Sequence, residues 1–157
     1  MRIGFGFDAH RLVAGRPLIL GGCRIPYDRG LEGYSDGDAL AHAVIDAVLG
    51  AAALGDCGSR FPAGDPRYAG ADSMKLLRQA SDLVRQAHFS LNNVDCTIVA
   101  DQPALAAHLA SMRTAVAKTL GIDLARCSVK AKRTEGLGFT GRSEGVAAYV
   151  IAALDES

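Results

Sequence analysis

Net charge is missing from this 157-residue chain: seventeen Lys and Arg balance seventeen Asp and Glu. That balance removes any global electrostatic case for nucleic acid or an anionic membrane as partner. Long hydrophobic runs are missing too. The longest apolar stretch, around Ala47–Leu54, is too short to span a bilayer. Arg2 and Asp8 interrupt the amino terminus, so the hydrophobic core of a signal peptide is not expected, and the expected location is the cytoplasm. Cysteine is sparse: Cys23, Cys57, Cys96 and Cys127 are widely spaced, with no Cys-x-x-Cys pair. They are expected to be reduced, with Cys96 and Cys127 as small core residues of strands, and they form no redox site. Linkers and repeats are also lacking. Residues 1–157 are therefore expected to form a single domain, long enough to bury roughly two-thirds of the unfolded surface.

What is present is an alternation of strands and helices. Gly4–Leu12 alternates as a β-strand, and Pro17–Pro26 reads as a hairpin around Gly21-Gly22. Ser35-Asp36-Gly37-Asp38 opens a helix whose buried face carries Leu40, Val44, Ile45, Val48, Leu49 and Ala52. A second helix runs from an Asp72 or Ser73 cap through Ala87. Val94–Val99 is a strand, and Asp101 and Pro103 mark the start of a third helix that ends at Gly121. Cys127–Thr134 and Gly145–Leu154 are further strands, the last apolar enough to be central in a sheet. The expected class is α/β (α+β), with a mainly β-sheet face and three helices outside it.

Chemistry gathers at Asp8 and His10, two apart on one strand and so projecting to the same side. His42 lies on the first helix. Asp, His and His make a three-ligand set for zinc with a fourth tetrahedral position left for substrate. The plainer reading is that Asp8 merely orients His10 at a strand end. Asp38, His42 and Asp46 recur every four residues as a polar stripe, which makes Asp38 or Asp46 a candidate outer partner of a metal ligand. His88 and His108 belong to no such cluster and read as surface histidines.

Two loops complete the candidate chemistry. Thr134–Arg142 holds three glycines that permit close ligand approach. It is either a tight hairpin or a phosphate site, with Arg142 as donor and Glu135 as a hard-cation ligand. Gly55–Pro66 is either a surface loop or a mobile one that closes over a ligand.

These segments, taken in order, closely resemble the 2-C-methyl-D-erythritol 2,4-cyclodiphosphate synthase family. The resemblance rests on Asp8-x-His10, on Ser35-Asp36-Gly37-Asp38 followed by His42, and on Gly50-Ala51-Ala52-Ala53-Leu54-Gly55-Asp56. It continues through Phe61-Pro62, Gly70-Ala71-Asp72-Ser73, Asn93-Val94-Asp95 and Thr134-Glu135-x-Leu137-Gly138-Phe139-Thr140-Gly141-Arg142. It spans essentially the whole chain. It implies a homotrimer with sheets around a central axis, helices outside, and active sites between subunits. It implies the non-mevalonate isoprenoid route, in which 4-diphosphocytidyl-2-C-methyl-D-erythritol 2-phosphate becomes the cyclic diphosphate with release of CMP.

Position by position, the resemblance implies zinc on Asp8, His10 and His42, and magnesium or manganese at Glu135. Asp56 would meet the erythritol, and Ala100 to Leu105, including Asp101 and Pro103, the cytidine of the cytidine diphosphate-linked substrate. Ser35, Gly58, Phe61, Asp65, Thr134, Phe139 and Arg142 would also face substrate. An apolar or isoprenoid molecule is implied in a central cavity near Phe5, Phe7, Phe139 and Arg142. Some positions depart from the pattern: Tyr34 stands for a usual His, Lys132 and Arg133 for two threonines, Ala104 for a basic residue and Ala63 for an acidic one. Tyr34, Arg133 and Glu135 are the expected catalytic groups, with Lys132 and Arg133 supplying charge to phosphate. The departures leave a second reading open: a divergent member that keeps metal and trimer but takes another phosphorylated or nucleotide-linked ligand.

Overall fold

The computed structural model describes residues 1–157. The strands are β1 (Arg2–Ala14), β2 (Leu18–Leu20), β3 (Cys23–Ile25), β4 (Arg29–Leu31), β5 (Phe89–Val99), β6 (Cys127–Lys132) and β7 (Gly145–Glu156). The helices are α1 (Ala39–Ala51), α2 (Cys57–Arg60), α3 (Ser73–Gln86), α4 (Leu109–Leu120) and α5 (Gly138–Gly141). Five strands form one mixed sheet in the order β4-β1-β7-β5-β6, and β2 and β3 pair separately. All neighbours in the large sheet are antiparallel except β5 and β6. The apolar last strand is central, as its composition predicts. It pairs with β1 from Arg2↔Leu154 to Arg11↔Gly145, and with β5 on its other side.

The helices cover one face. Helix α1 is buried along nearly its whole length against β1 and β7 because its residues are small or aliphatic. The sequence Gly4-Phe5-Gly6-Phe7 explains how close it sits. Alternation sends both glycines to the helix side and both phenylalanines to the other. A Cβ at Gly6 would lie 1.9 Å from the Ala43 carbonyl oxygen, and one at Gly4 2.0 Å from that of Ala47. Backbone therefore rests on backbone. The opposite sheet face leaves Ile3, Phe5, Phe7, Tyr149 and Ile151 exposed.

Asp38 starts α1 in an unforeseen way. Its carboxylate accepts from Ala41 N as helix cap, and from Gly21 N at 2.9 Å and Gly22 N at 2.8 Å in the hairpin turn. Both glycines have positive φ, which turns their amides toward it. Burial pushes this carboxyl up, to about 6, against the pull of those three backbone amides. Asp38 is thus a structural clasp and not an outer partner of His42.

The third long helix begins later than Asp101 and Pro103 suggest. Asp101 accepts from Thr134 N at 2.7 Å and Gly136 N at 3.0 Å, so its carboxylate caps no helix. A 3₁₀ turn at Ala106–His108 leads into α4 instead. The same contact draws Thr134 out of β6, which stops at Lys132. Cys96 and Cys127 are buried in their strands, and all four cysteines are free thiols. No helix is long and apolar enough to cross a membrane.

Candidate functional site

Three ligand atoms converge where β1 meets α1. Asp8 Oδ2 lies 2.7 Å from His10 Nε2 and 2.9 Å from His42 Nδ1. The two ring nitrogens are 3.2 Å apart. All three atoms fall within 4.8 Å of one another. Strand periodicity places Asp8 and His10 on one side, and the close seat of α1 on Gly4 and Gly6 brings His42 to them.

The far nitrogens define the proton positions. His10 Nδ1 lies 2.5 Å from the Glu32 carbonyl, an obligate acceptor, so it carries hydrogen and donates. His42 Nε2 lies 2.8 Å from Ser73 Oγ and 3.1 Å from Ser35 Oγ. With hydrogens on those outer nitrogens, the inner ones present lone pairs to each other and to a carboxylate. Three acceptors then face one point with no donor among them, an arrangement that a cation resolves. The same field acts on protons. Burial works to lower the pKa of His10, but the hydrogen bond and charge of Asp8 and the Glu32 carbonyl raise it overall. Burial works to raise that of Asp8, and the two histidines hold it down. A two-nitrogen, one-carboxylate donor set suits a borderline divalent metal such as zinc.

The triad forms one wall of a cavity of about 410 Å³ that Tyr34, Ser35, Asp46, Asp56, Cys57, Gly58, Phe61, Ala63, Tyr68 and Leu76 also line. Asp46 is turned to the Cys57 amide at 2.8 Å and does not touch His42. The segment Gly55–Pro66 supplies the facing wall through α2. Asp56 caps that turn in a reciprocal pair with Ser59. Phe61 is buried edge-on against Tyr68, with centroids 5.6 Å apart. Tyr34 Oη donates to the Asp65 carbonyl at 3.2 Å, which ties the strand-side rim to that wall. The Asp65 carboxylate pairs with Arg67 instead of facing the cavity.

Known proteins share this fold and much of this sequence. A sequence profile of the YgbB family matches residues 1–155. The chain belongs to the YgbB family. One relative, the 2-C-methyl-D-erythritol 2,4-cyclodiphosphate synthase of Moorella thermoacetica, is 56% identical over 154 residues, covering 98% of this chain and 94% of that one. A solved structure of a 2C-methyl-D-erythritol-2,4-cyclodiphosphate synthase in its CDP-bound form has a TM-score of 0.90 at 38% identity. It covers 98% of this chain and 100% of that chain. The bifunctional IspDF of Campylobacter jejuni gives a TM-score of 0.95 at 44% identity over 99% of this chain, which spans only 42% of that longer protein.

The remaining candidate residues of this YgbB chain lie outside the triad's cavity. Ala100, Asp101, Ala104, Leu105, Lys132 and Arg133 line a separate cavity of about 240 Å³, together with Gln102, Ala106, Leu109 and Ala131. Pro103 is buried beside it but is not part of its wall. Phe139 lines a third cavity, of about 210 Å³, with Ala9, His10, Arg11, Glu144 and Gly145. Thr134 is held by Asp101 and Thr140, Glu135 is exposed with φ of 53°, and Arg142 pairs with Glu144 at 2.9 Å. Within one YgbB chain, then, Glu135, Lys132 and Arg133 are absent from the lining of the triad's cavity. Sequence reasoning gave no site role to Ser73, whose hydroxyl reaches His42, or to Cys57, Tyr68 and Leu76 in the cavity wall. Ser73 stood out only as a helix start and as part of the Gly70–Ser73 segment of the resemblance.

Proposed function

We propose that this chain is a zinc-dependent 2-C-methyl-D-erythritol 2,4-cyclodiphosphate synthase of isoprenoid biosynthesis. It would convert 4-diphosphocytidyl-2-C-methyl-D-erythritol 2-phosphate into the cyclic diphosphate and CMP. The observation that carries the reading is the meeting of three lone-pair donors, Asp8, His10 and His42, at the wall of a cavity. The name shared by relatives that match nearly the whole chain supports it.

In the reaction an oxygen of the substrate's 2-phosphate forms a bond to the β-phosphorus. The bond from that phosphorus to the bridging oxygen breaks, and CMP leaves with the electron pair. No protein nucleophile is needed, so the chain's work is to align two anionic groups and to balance charge as CMP departs. Asp8, His10 and His42 would hold zinc, which would supply Lewis-acid polarisation to a phosphate oxygen. Asp56, with Ser35, Gly58 and Phe61 around it, holds the erythritol end against the triad. Tyr34 stands at the rim with its one hydroxyl hydrogen given to the Asp65 carbonyl, so it would donate to a phosphate only by releasing that contact.

The cavity lined by Ala100, Asp101, Ala104 and Leu105 would take the cytidine, and Lys132 and Arg133, which also line it, would neutralise diphosphate. Glu135, beside Thr134, would be the residue to hold magnesium or manganese, neutralising phosphate charge. The family resemblance implies a homotrimer with its working site shared between subunits, and the placing of these groups and the triad in different cavities of one chain supports that reading. The exposed Ile3, Phe5, Phe7, Tyr149 and Ile151 face is what such an assembly would bury. Phe139 and Arg142 would stand near its axis, where an apolar or isoprenoid ligand fits. Residues 1–157 act as one domain in the cytoplasm.

The test is direct. Purified protein, substrate, zinc and magnesium are followed by phosphorus NMR. Appearance of CMP and cyclic diphosphate in equal amounts is expected. Metal-loaded protein that leaves the substrate intact would refute the reading and favour a divergent member that only binds such a ligand.

A further inference from the structure

We infer that Ser73, gripped by Asp36, is a positioning residue that fixes His42 in its Nε2–H tautomer and thereby sets how tightly the triad holds a divalent cation. The inference rests on the reading of Asp8, His10 and His42 as a metal site.

The argument is a count of hydrogens. Ser73 is fully buried at the start of α3, so no solvent competes for its hydroxyl. Its Oγ lies 2.5 Å from Asp36 Oδ1, and its backbone N–H donates to Asp36 Oδ2 at 3.0 Å. An ionised carboxylate only accepts, so the single hydroxyl hydrogen of Ser73 is committed to Asp36. Ser73 Oγ can then only accept from its two other neighbours. One is Ser35 Oγ at 3.3 Å, which donates its own hydrogen. The other is His42 Nε2 at 2.8 Å, which must therefore be N–H. His42 Nδ1 is left with a bare lone pair aimed at the point shared with Asp8 and His10.

The direction of every bond follows from the charge on Asp36, which lies outside the metal's reach of direct ligation. Asp36 also accepts from Asp38 N at 3.1 Å, so the loop before α1 holds the carboxylate still. The result is a carboxylate, a hydroxyl and an imidazole in line behind the metal position. A hydroxyl stands where metal sites more often have the carboxylate alone. Such a chain holds the ring's orientation and keeps its inner lone pair aimed at the metal position. In a buried, low-dielectric setting the fully satisfied set is stiff.

Two measurements test this. In metal-free, unsubstituted protein, nitrogen-15 NMR of the histidine rings should show His42 as the Nε2–H tautomer. An Nδ1–H tautomer would overturn the inference without any variant. Second, zinc affinity is read by competition with a chromophoric chelator in the unsubstituted protein and in Ser73→Ala. Affinity should fall about 10- to 100-fold in the variant, the range seen when outer partners of ligands are removed. Ser35→Ala should lose less, because Ser73 still accepts from His42. Equal affinity in Ser73→Ala and the unsubstituted protein, with His42 still Nε2–H, would overturn the inference alone. Failure of the unsubstituted protein to bind zinc would overturn the triad reading and this inference with it.

Discussion

Gly6→Ala probes the seam on which the triad depends. The added methyl carbon would sit 1.9 Å from the Ala43 carbonyl oxygen, 2.8 Å from Ala47 N and 2.9 Å from the Ala43 carbonyl carbon. All three are backbone atoms of α1, so no side chain can rotate away. To restore contact the helix must retreat by about 1 Å or more. Overpacked cores lose roughly 1–3 kcal/mol, and a rigid backbone neighbour puts this case near 3 kcal/mol. For a chain of this size that corresponds to a fall of about 6–12 °C in melting temperature. The metal should suffer as well. Asp8 rides on β1 and His42 on α1, with 2.9 Å between their ligand atoms. Ligand constellations tolerate misplacement of only about 0.5 Å, so zinc affinity should drop by on the order of tenfold or more. Calorimetry and chelator competition read the two effects. Gly50→Ala on the same helix is the control: nothing lies within 4 Å of its added carbon. It should stabilise the helix by up to about 1 kcal/mol. A Gly6→Ala protein with unchanged melting temperature and zinc affinity would show that α1 does not set the triad.

Other outcomes follow from particular contacts. Asp38→Asn places an amide where Gly21 N and Gly22 N both need acceptors. It should cost about 1–3 kcal/mol in urea unfolding, with the triad's zinc affinity changed far less than in Gly6→Ala. Zinc at one hundred times its dissociation constant should raise stability by about 2.7 kcal/mol, visible as a higher melting temperature that a chelator reverses. His42→Ala should fold but show no such shift. Asp101 is held below the ordinary carboxyl value by the amides of Thr134 and Gly136. A lowered folded pKa means its contribution is complete above about pH 4 and is lost as pH falls through the folded value. Protection of the Thr134 and Gly136 amides, taken against their intrinsic exchange rates, should therefore fall only in acid, and an Asp101→Ala protein should show low protection at every pH.

How much of this was legible depends on the range over which each residue is satisfied. Asp8 and His10 share a strand face by local geometry alone, and His42 stands on a strongly patterned helix, so the triad could be read from spacing. The same spacing misled at Asp38 and Asp46. A four-residue repeat says that they share a side with His42, but not that one clasps the hairpin turn and the other the Cys57 amide. Ser73 reaches His42 from 31 positions away, through the docking of α3, and no local pattern reports that. Asp101 looked like a helix start because its type and its neighbour Pro103 fit one. Its actual partners lie across the sheet, at Thr134 and Gly136. The alternation of Gly4-Phe5-Gly6-Phe7 announced a strand. That its glycine side must admit a helix backbone is a property of the pair and not of the strand.

The central place of β7 has a consequence for how the molecule comes into being. On a growing chain β1 is made first and β5 follows, yet the strand that joins them spans Gly145–Glu156. Until it arrives, both have an unpaired edge, and α1 has lost part of the surface on which it rests. Contacts that close loops of this length slow folding and prolong the life of sticky intermediates. The sheet thus cannot close during synthesis before the residues of β7 are free of the ribosome. A chain stopped before residue 145 should be caught by chaperones or aggregate, even though all three triad residues had been synthesised long before.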